Sequence, residues 1–152
     1  MVRLWGGALL AMAGCSDVTN MPAATPAAAL DETVFKCIVE PVLAKQCSYT
    51  ACHGIADAPF RVYTPGKLRA TPPANIDDAI APLTAAEEHA NFLSASGFAF
   101  AAPALDQNWI LRKPLPAIDG GFEHKGGAIY SGTDDPQYQA IFAWLSGTGA
   151  CK

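Results

Sequence analysis

The five cysteines of this 152-residue chain constrain its structure more than any other feature of the sequence. Cys47 and Cys52 are separated by four residues, and His53 directly follows the second cysteine. A cytosolic protein of this length uses so many cysteines mainly for metal or redox chemistry, whereas an exported protein can also form disulfides with them. The N-terminal segment indicates which of these two compartments the protein occupies, and therefore which uses of its cysteines to expect.

Residues 1–14 are typical of an export signal: a positive Arg3, then an apolar run too short to span a bilayer, then small residues before Cys15. This pattern resembles the lipobox of bacterial lipoproteins, whose cysteine is acylated and becomes the mature N-terminus. We therefore expect a signal peptide over 1–14, then a lipidated Cys15 and a flexible tether over 15–30. The alternatives are an ordinary signal peptide, or a buried apolar helix with a chance cysteine. The lipoprotein reading places the protein in the bacterial cell envelope, by default on the outer membrane facing the periplasm or the cell surface.

The rest of the chain, residues 31–152, is long enough for one domain with a single core. The whole chain has 12 prolines and 13 glycines, most of them scattered between short apolar stretches of this domain, which predicts a loop-rich fold. Residues 60–63 have the composition of a short strand. The formal net charge is −4 and no basic run occurs, so nucleic acid is not an expected partner.

Two helices are predicted before the middle of this domain. Apolar residues recur in steps of three and four over residues 31–46, which indicates one buried helix face, and we expect Pro41 to bend this helix. Thr84 and Glu87 form the pattern of a capping box and predict a second helix over residues 84–96.

A third helix is predicted near the C-terminus. Asp135 is a suitable N-cap, Pro136 favours the first helical position, and Gly147 is suited to end the helix. We therefore expect a mainly α, small, loop-rich domain with about three helices.

The segment from Cys47 to His53 indicates covalent attachment of haem. Two thiols can form thioethers with the two vinyl groups of haem, and an imidazole directly after the second thiol can reach the iron. The usual motif has two residues between the cysteines, so the four found here must form a loop that bulges outward. The alternatives are a Cys47–Cys52 disulfide beside an incidental histidine, or a zinc site. Zinc is disfavoured because Cys52 and His53 are adjacent and rarely bind one tetrahedral ion together.

Two stretches of the chain resemble the small cytochrome c-like domains of exported myxobacterial and planctomycete proteins, and the C-x4-C-H spacing resembles that of some multihaem cytochromes. The first stretch consists of Phe35, Pro41-Val42-Leu43 and Cys52-His53-Gly54. The second consists of Leu111-Arg112-Lys113-Pro114-Leu115, Gly120-Gly121, His124, Gly126-Gly127, Asp134-Asp135-Pro136, Tyr138 and Trp144-Leu145. The resemblance implies a cytochrome c-like fold whose helices pack around one haem c.

The second axial ligand of the iron is not a methionine on this reading, because the one methionine after residue 14 is Met21, in the tether. His124 is favoured, since flanking glycines let the backbone approach a flat cofactor closely and since it matches a glycine-flanked histidine of the resembled group. His89 and an open or water-filled site are the alternatives. His89 stands beside acidic residues in a predicted helix, where a solvated surface position is common.

Cys37 and Cys151 are left over once Cys15, Cys47 and Cys52 have been assigned. In an oxidising compartment we expect them to form a disulfide, with two free buried thiols as the alternative. The expected function is electron transfer by a membrane-anchored monohaem cytochrome between exported redox proteins, and not catalysis. The rivals are a haem enzyme or gas sensor with an open iron site, and a haem-free surface lipoprotein stabilised by disulfides.

Overall fold

The computed structural model describes residues 30–99 and 104–151. The predicted signal peptide, Cys15 and all of the tether but its last residue lie outside the described residues. Five helices occur in the described part. The first, α1, covers residues 32–46 and is followed by α2 (Ile76–Ile80), α3 (Ala85–Ser96), α4 (Trp109–Arg112) and α5 (Pro136–Leu145). Single 3-10 turns occur at Leu105–Gln107 and Ala117–Asp119.

The predicted mainly α, loop-rich fold class is confirmed, and the three predicted helices correspond to α1, α3 and α5. The short helices α2 and α4 lie in stretches for which no helix was predicted. None of the helices described here is long and apolar enough to cross a membrane.

The prediction of a strand at residues 60–63 is wrong, and no strand occurs among the described residues. The backbone at this point finds its partners in helix side chains and in a loop. The N–H of Arg61 donates to Ser94 Oγ at 2.9 Å, and the N–H of Tyr63 donates to Asn91 Oδ1 at 2.7 Å. The N–H of Val62 donates to the His53 carbonyl at 2.8 Å. With these groups satisfied, the segment needs no strand partner.

Helix α1 begins at the N-cap Asp31, whose side chain accepts a hydrogen bond from the Val34 N–H. It consists of an α-helical turn (Glu32–Val34), a π-helical segment (Phe35–Val39) and an α-helical part (Glu40–Gln46). The π segment ends at Val39, two residues before Pro41, which lacks the N–H that would continue an ordinary helix. The predicted apolar face is confirmed, because Phe35, Val39 and Leu43 are buried in the core.

Helix α3 has the predicted capping box. The Thr84 side chain accepts from the Glu87 N–H, and the Glu87 carboxylate accepts from the Thr84 N–H. The same carboxylate also accepts two hydrogen bonds of 2.9 Å from the Arg69 guanidinium. Arg69 donates further to the carbonyls of Asp78 and Ala81, so this ion pair joins the 69–82 segment to the start of α3.

Helix α5 packs against α1 and closes the core. Asp135 caps it, Pro136 is its first residue and Gly147, at φ 71°, follows its end, as predicted. The Trp144 indole donates to the Asp31 carbonyl at 3.0 Å, and its ring centre lies 5.3 Å from that of Phe35. The two ends of the domain are therefore packed together.

A disulfide joins Cys37 in α1 to Cys151, and the Cα atoms of the two residues are 5.7 Å apart. This confirms the predicted pairing. The bond connects residues that are 114 positions apart and holds the end of the chain on the first helix.

Candidate haem site

A cleft beside the end of α1 contains three of the four predicted cofactor-binding residues. The space in the cleft and in its open mouth has a volume of about 800 Å³. Most of its wall is apolar or aromatic, as in ordinary ligand sites. The lining residues are Leu43, Cys47, His53, Phe60, Phe98, Trp109, Ile110, Lys113, Pro114, Glu123, His124, Lys125 and Tyr130.

The segment from Cys47 to Gly54 forms a compact loop at the end of α1. The N–H of Cys52 donates to the Tyr49 carbonyl at 2.8 Å, and the N–H of His53 donates to the Cys47 carbonyl at 3.1 Å. Tyr49 is 54% exposed, as expected for an inserted loop that bulges outward. Gly54 is required by packing, because a Cβ at this position would clash with the carbonyl oxygen of Ser48.

The two thiols of this loop have different environments. Cys47 is buried in the cleft wall, and burial, reinforced by the nearby Cys52, raises the pKa of its thiol to about 12. Cys52 is half-buried, and the two cysteines are free thiols rather than a disulfide. Cys47 is therefore protonated and unreactive as an isolated nucleophile at neutral pH.

His53 is oriented by the residues that follow the loop. Its Nδ1 donates to the Phe60 carbonyl at 2.8 Å, and the Phe60 ring packs at 4.6 Å between ring centres. A carbonyl oxygen can only accept, so Nδ1 carries the proton and the lone pair of Nε2 is available to a metal. Burial lowers the pKa of His53, which favours the neutral imidazole that metal binding requires.

His124 has the same arrangement on a second loop. Its Nδ1 lies 3.2 Å from the Gly127 carbonyl, which again leaves Nε2 available. Gly127 adopts φ 74°, and a Cβ at Gly126 would lie 3.1 Å from His124 Cε1. The glycines around His124 were expected to let the backbone come close to a cofactor. Gly127 permits the turn, and Gly126 leaves space for the His124 imidazole.

Three backbone hydrogen bonds close the loop that carries His124, and one of them, of 2.7 Å, runs from the N–H of Ile129 to the Pro114 carbonyl. The N–H of Phe122 donates to the Arg112 carbonyl at 3.0 Å, and the N–H of Tyr130 donates to the Pro114 carbonyl at 3.1 Å. Residues 122–130 are thereby held against the segment after α4, so the position of His124 is defined by tertiary contacts.

The two histidines face the same space. Their ring centres are 6.0 Å apart, and their ring planes differ by only 10°. Within the described residues, no group of three or more His, Cys, Asp or Glu side chains is arranged to hold a metal ion. A haem iron needs only two ligands from the protein, since the porphyrin supplies the other four.

His89 and Glu87, two other titratable residues on α3, lie outside the cleft. His89 is exposed on α3, and its Nδ1 is 3.0 Å from the Glu32 carboxylate. Glu87 is engaged by Arg69, which lowers the pKa of the Glu87 carboxyl to about 2. Neither residue lines the cleft, so the structure brings His124, and not His89, towards His53.

Several residues of the cleft were not singled out from the sequence. Phe60 contributes both a carbonyl acceptor and a ring, and Tyr130 lies buried beside Cys47. Burial raises the pKa of Tyr130. Lys113 and Lys125 also line the cleft, and no pattern in the sequence indicated either of them.

Comparisons of the chain with protein families, curated proteins and solved structures find no match.

Proposed function

We propose that this protein is an electron carrier that binds one covalently attached haem c between His53 and His124. The separation of the two imidazoles is the observation that carries the proposal. A metal–nitrogen bond is about 2 Å long and the imidazole centre lies about 1 Å further away, so two imidazoles on one iron have centres about 6 Å apart. The observed separation is 6.0 Å.

The residues in and beside the cleft fit this group in three further respects. Both histidines donate from Nδ1 to backbone carbonyls, which orients Nε2 towards a metal. The largely apolar wall suits a flat apolar ring. Cys47 lies in this wall, and Cys52, which is outside the set of lining residues, directly precedes His53. Haem, when bound, supplies a one-electron couple at its iron.

The chain's own residues favour electron transfer over catalysis. With haem bound, His53 and His124 would both ligate the iron and would leave no position on it for a substrate. Phe60 and Phe98, with ring centres 5.4 Å apart, both line the cleft and contribute to its apolar wall. A doubly ligated iron beside such a wall is suited to single-electron exchange with other proteins.

The remaining parts of the proposal follow from the N-terminal sequence. An acylated Cys15 would hold the domain at a bilayer of the cell envelope, within reach of exported redox proteins. The tether would allow the cleft to face different partners. The Cys37–Cys151 disulfide supports an oxidising compartment, where such bonds persist.

Mass spectrometry of the denatured protein tests the attachment. The full chain is expressed for export together with a haem-attachment system, and we expect one added haem per chain. The Cys47→Ser/Cys52→Ser variant should lack the added mass, whereas Cys37→Ser, in a cysteine outside the cleft, should retain it. An unmodified wild-type mass under conditions that load a control cytochrome would refute the proposal and favour a haem-free surface lipoprotein.

A further inference from the structure

Lys113 and Lys125 place two positive charges in a cleft whose wall is otherwise mainly apolar. Neither forms an ion pair within 4 Å in the described part of the chain. The ammonium of Lys113 lies 5.6 and 6.0 Å from the centres of the Trp109 and Phe122 rings and contacts the Glu123 carbonyl at the long distance of 3.4 Å. Lys113 is half-buried and Lys125 is exposed. Two cations that border an apolar cleft suit a ligand with an apolar body and anionic groups.

The two lysines lie on segments of the cleft wall that are hydrogen-bonded to each other. Lys113 directly follows α4, and its N–H donates to the Trp109 carbonyl at 3.0 Å. Lys125 lies on the loop of residues 122–130, which is held against the segment after α4 by hydrogen bonds from Phe122 to Arg112 and from Tyr130 to Pro114. Glu123 is the one carboxylate among the lining residues, so the charged side chains of the cleft sum to a net positive charge.

We propose that Lys113 and Lys125 bind the two propionate carboxylates of the haem, an inference that rests on the proposed function. In haem the propionates and the vinyl groups are on different edges of the ring. The thiols for the vinyl groups come from the loop after α1, and the lysines come from the segment of residues 113–125. Two separate parts of the chain therefore hold the two edges of one cofactor.

This assignment also gives the late loop a role beyond supplying His124. A propionate bound by Lys125 would lie beside His124, the preceding residue. The propionate contact and a bond from His124 to the iron would then stabilise the same loop. Charge-assisted hydrogen bonds are about twice as strong as neutral ones, so such a contact would add to the three backbone hydrogen bonds that close this loop.

Resonance Raman spectroscopy of the loaded protein tests the inference, because the propionate bending band responds to hydrogen bonding of the carboxylates. We expect this band to shift in Lys113→Gln and in Lys125→Gln, and to shift furthest in the double variant. Lys45→Gln is the matched control, since it removes the same charge from an exposed position on α1 outside the cleft. An unchanged band in the double variant would overturn the inference.

A second measurement applies if a lysine variant attaches haem poorly. The Cys47→Ser/Cys52→Ser chain, prepared without haem, is titrated with haemin and with its dimethyl ester, which lacks the carboxylates. The preference for haemin should fall about five-fold for each lysine replaced, in line with partly exposed ion pairs. A preference that is the same with and without the lysines would overturn the inference.

The two proposals fail in different ways. If the wild-type mass includes haem but neither the Raman band nor the haemin preference depends on the lysines, only the inference about the propionates is wrong. If the exported wild-type chain has no attached haem, the proposed function is wrong and this inference is wrong with it.

Discussion

His53 and His124 differ from His89 in what their Nδ1 atoms contact. The two cleft histidines donate from Nδ1 to backbone carbonyls, which leaves Nε2 free for a metal, whereas His89 Nδ1 contacts a carboxylate on the surface. The hydrogen-bond partner of Nδ1 thus distinguishes the two candidate ligands, His53 and His124, from the solvated His89.

Replacement of His124 by Ala should open the iron without releasing the haem, because the thioethers to Cys47 and Cys52 do not depend on His124. We expect a change from a six-coordinate, low-spin spectrum to one that responds to carbon monoxide, with a higher midpoint potential. Absorbance spectra with and without carbon monoxide and a redox titration measure these changes.

His89→Ala is the matched control and should leave the spectrum unchanged. If His89→Ala turns the protein high-spin while His124→Ala has no effect, the assignment of the sixth ligand is wrong. If the wild-type protein already binds carbon monoxide readily, the site is open and an enzyme or gas sensor becomes the better reading.

Sequence reasoning reached these residues through local patterns. Adjacent Cys52 and His53 predicted a site, and the glycines around His124 predicted a loop that could approach a cofactor. Phe60 and Tyr130 belong to no such pattern, because the sequence around an aromatic residue in a loop does not indicate which distant residue it contacts. Their places in the site depend on contacts between distant parts of the chain.

Among the helices, α3 shows how a local signal can also serve a distant contact. Glu87 completes the capping box that the sequence predicted, and it also binds Arg69, which no local pattern indicated. The carboxylate is 3% exposed, so its charge depends on these partners. The start of α3 and the loop before it are therefore stabilised by one side chain.

Glu87→Gln should lower the free energy of unfolding by about 2–3 kcal/mol, because charge-assisted hydrogen bonds from Arg69 are weakened in a buried position. Urea unfolding at neutral pH measures the loss. Glu88→Gln is the control on the same helix, and its half-exposed ion pair with Lys36 should contribute under about 1 kcal/mol. Equal effects of the two substitutions would contradict this account.

The same carboxylate predicts a pH dependence of stability. Its pKa is lowered from the usual 4.5 to about 2 when the protein folds, chiefly by Arg69. A group whose pKa falls on folding stabilises the protein above its unfolded pKa, so this contribution should be lost as the pH falls from 4.5 towards 2. Glu87→Gln should unfold with a smaller dependence on pH in this range, and an unchanged dependence would exclude Glu87 as its source.

At the scale of the whole molecule, the Cys37–Cys151 disulfide joins the two ends of the domain. Because it closes a long loop, its loss should lower the free energy of unfolding by about 2–4 kcal/mol. The Cys37→Ser/Cys151→Ser variant is compared with the wild-type protein by urea unfolding. The variant should match the wild type measured under reducing conditions. Equal stability of the variant and the oxidised wild type would show that the bond does not constrain the unfolded chain.

Local signals in the sequence were sufficient to predict the mainly α class, the apolar face of α1, the caps of α3 and α5, and the pairing of Cys37 with Cys151. Each of these depends on neighbouring residues or on what the other cysteines leave unpaired. Only the tertiary structure decided that His124 rather than His89 faces His53, that residues 60–63 bind helix side chains instead of a strand, and that two lysines line the cleft. The physical reason is that helix periodicity and capping act over a few residues, whereas a site between loops depends on how distant segments pack.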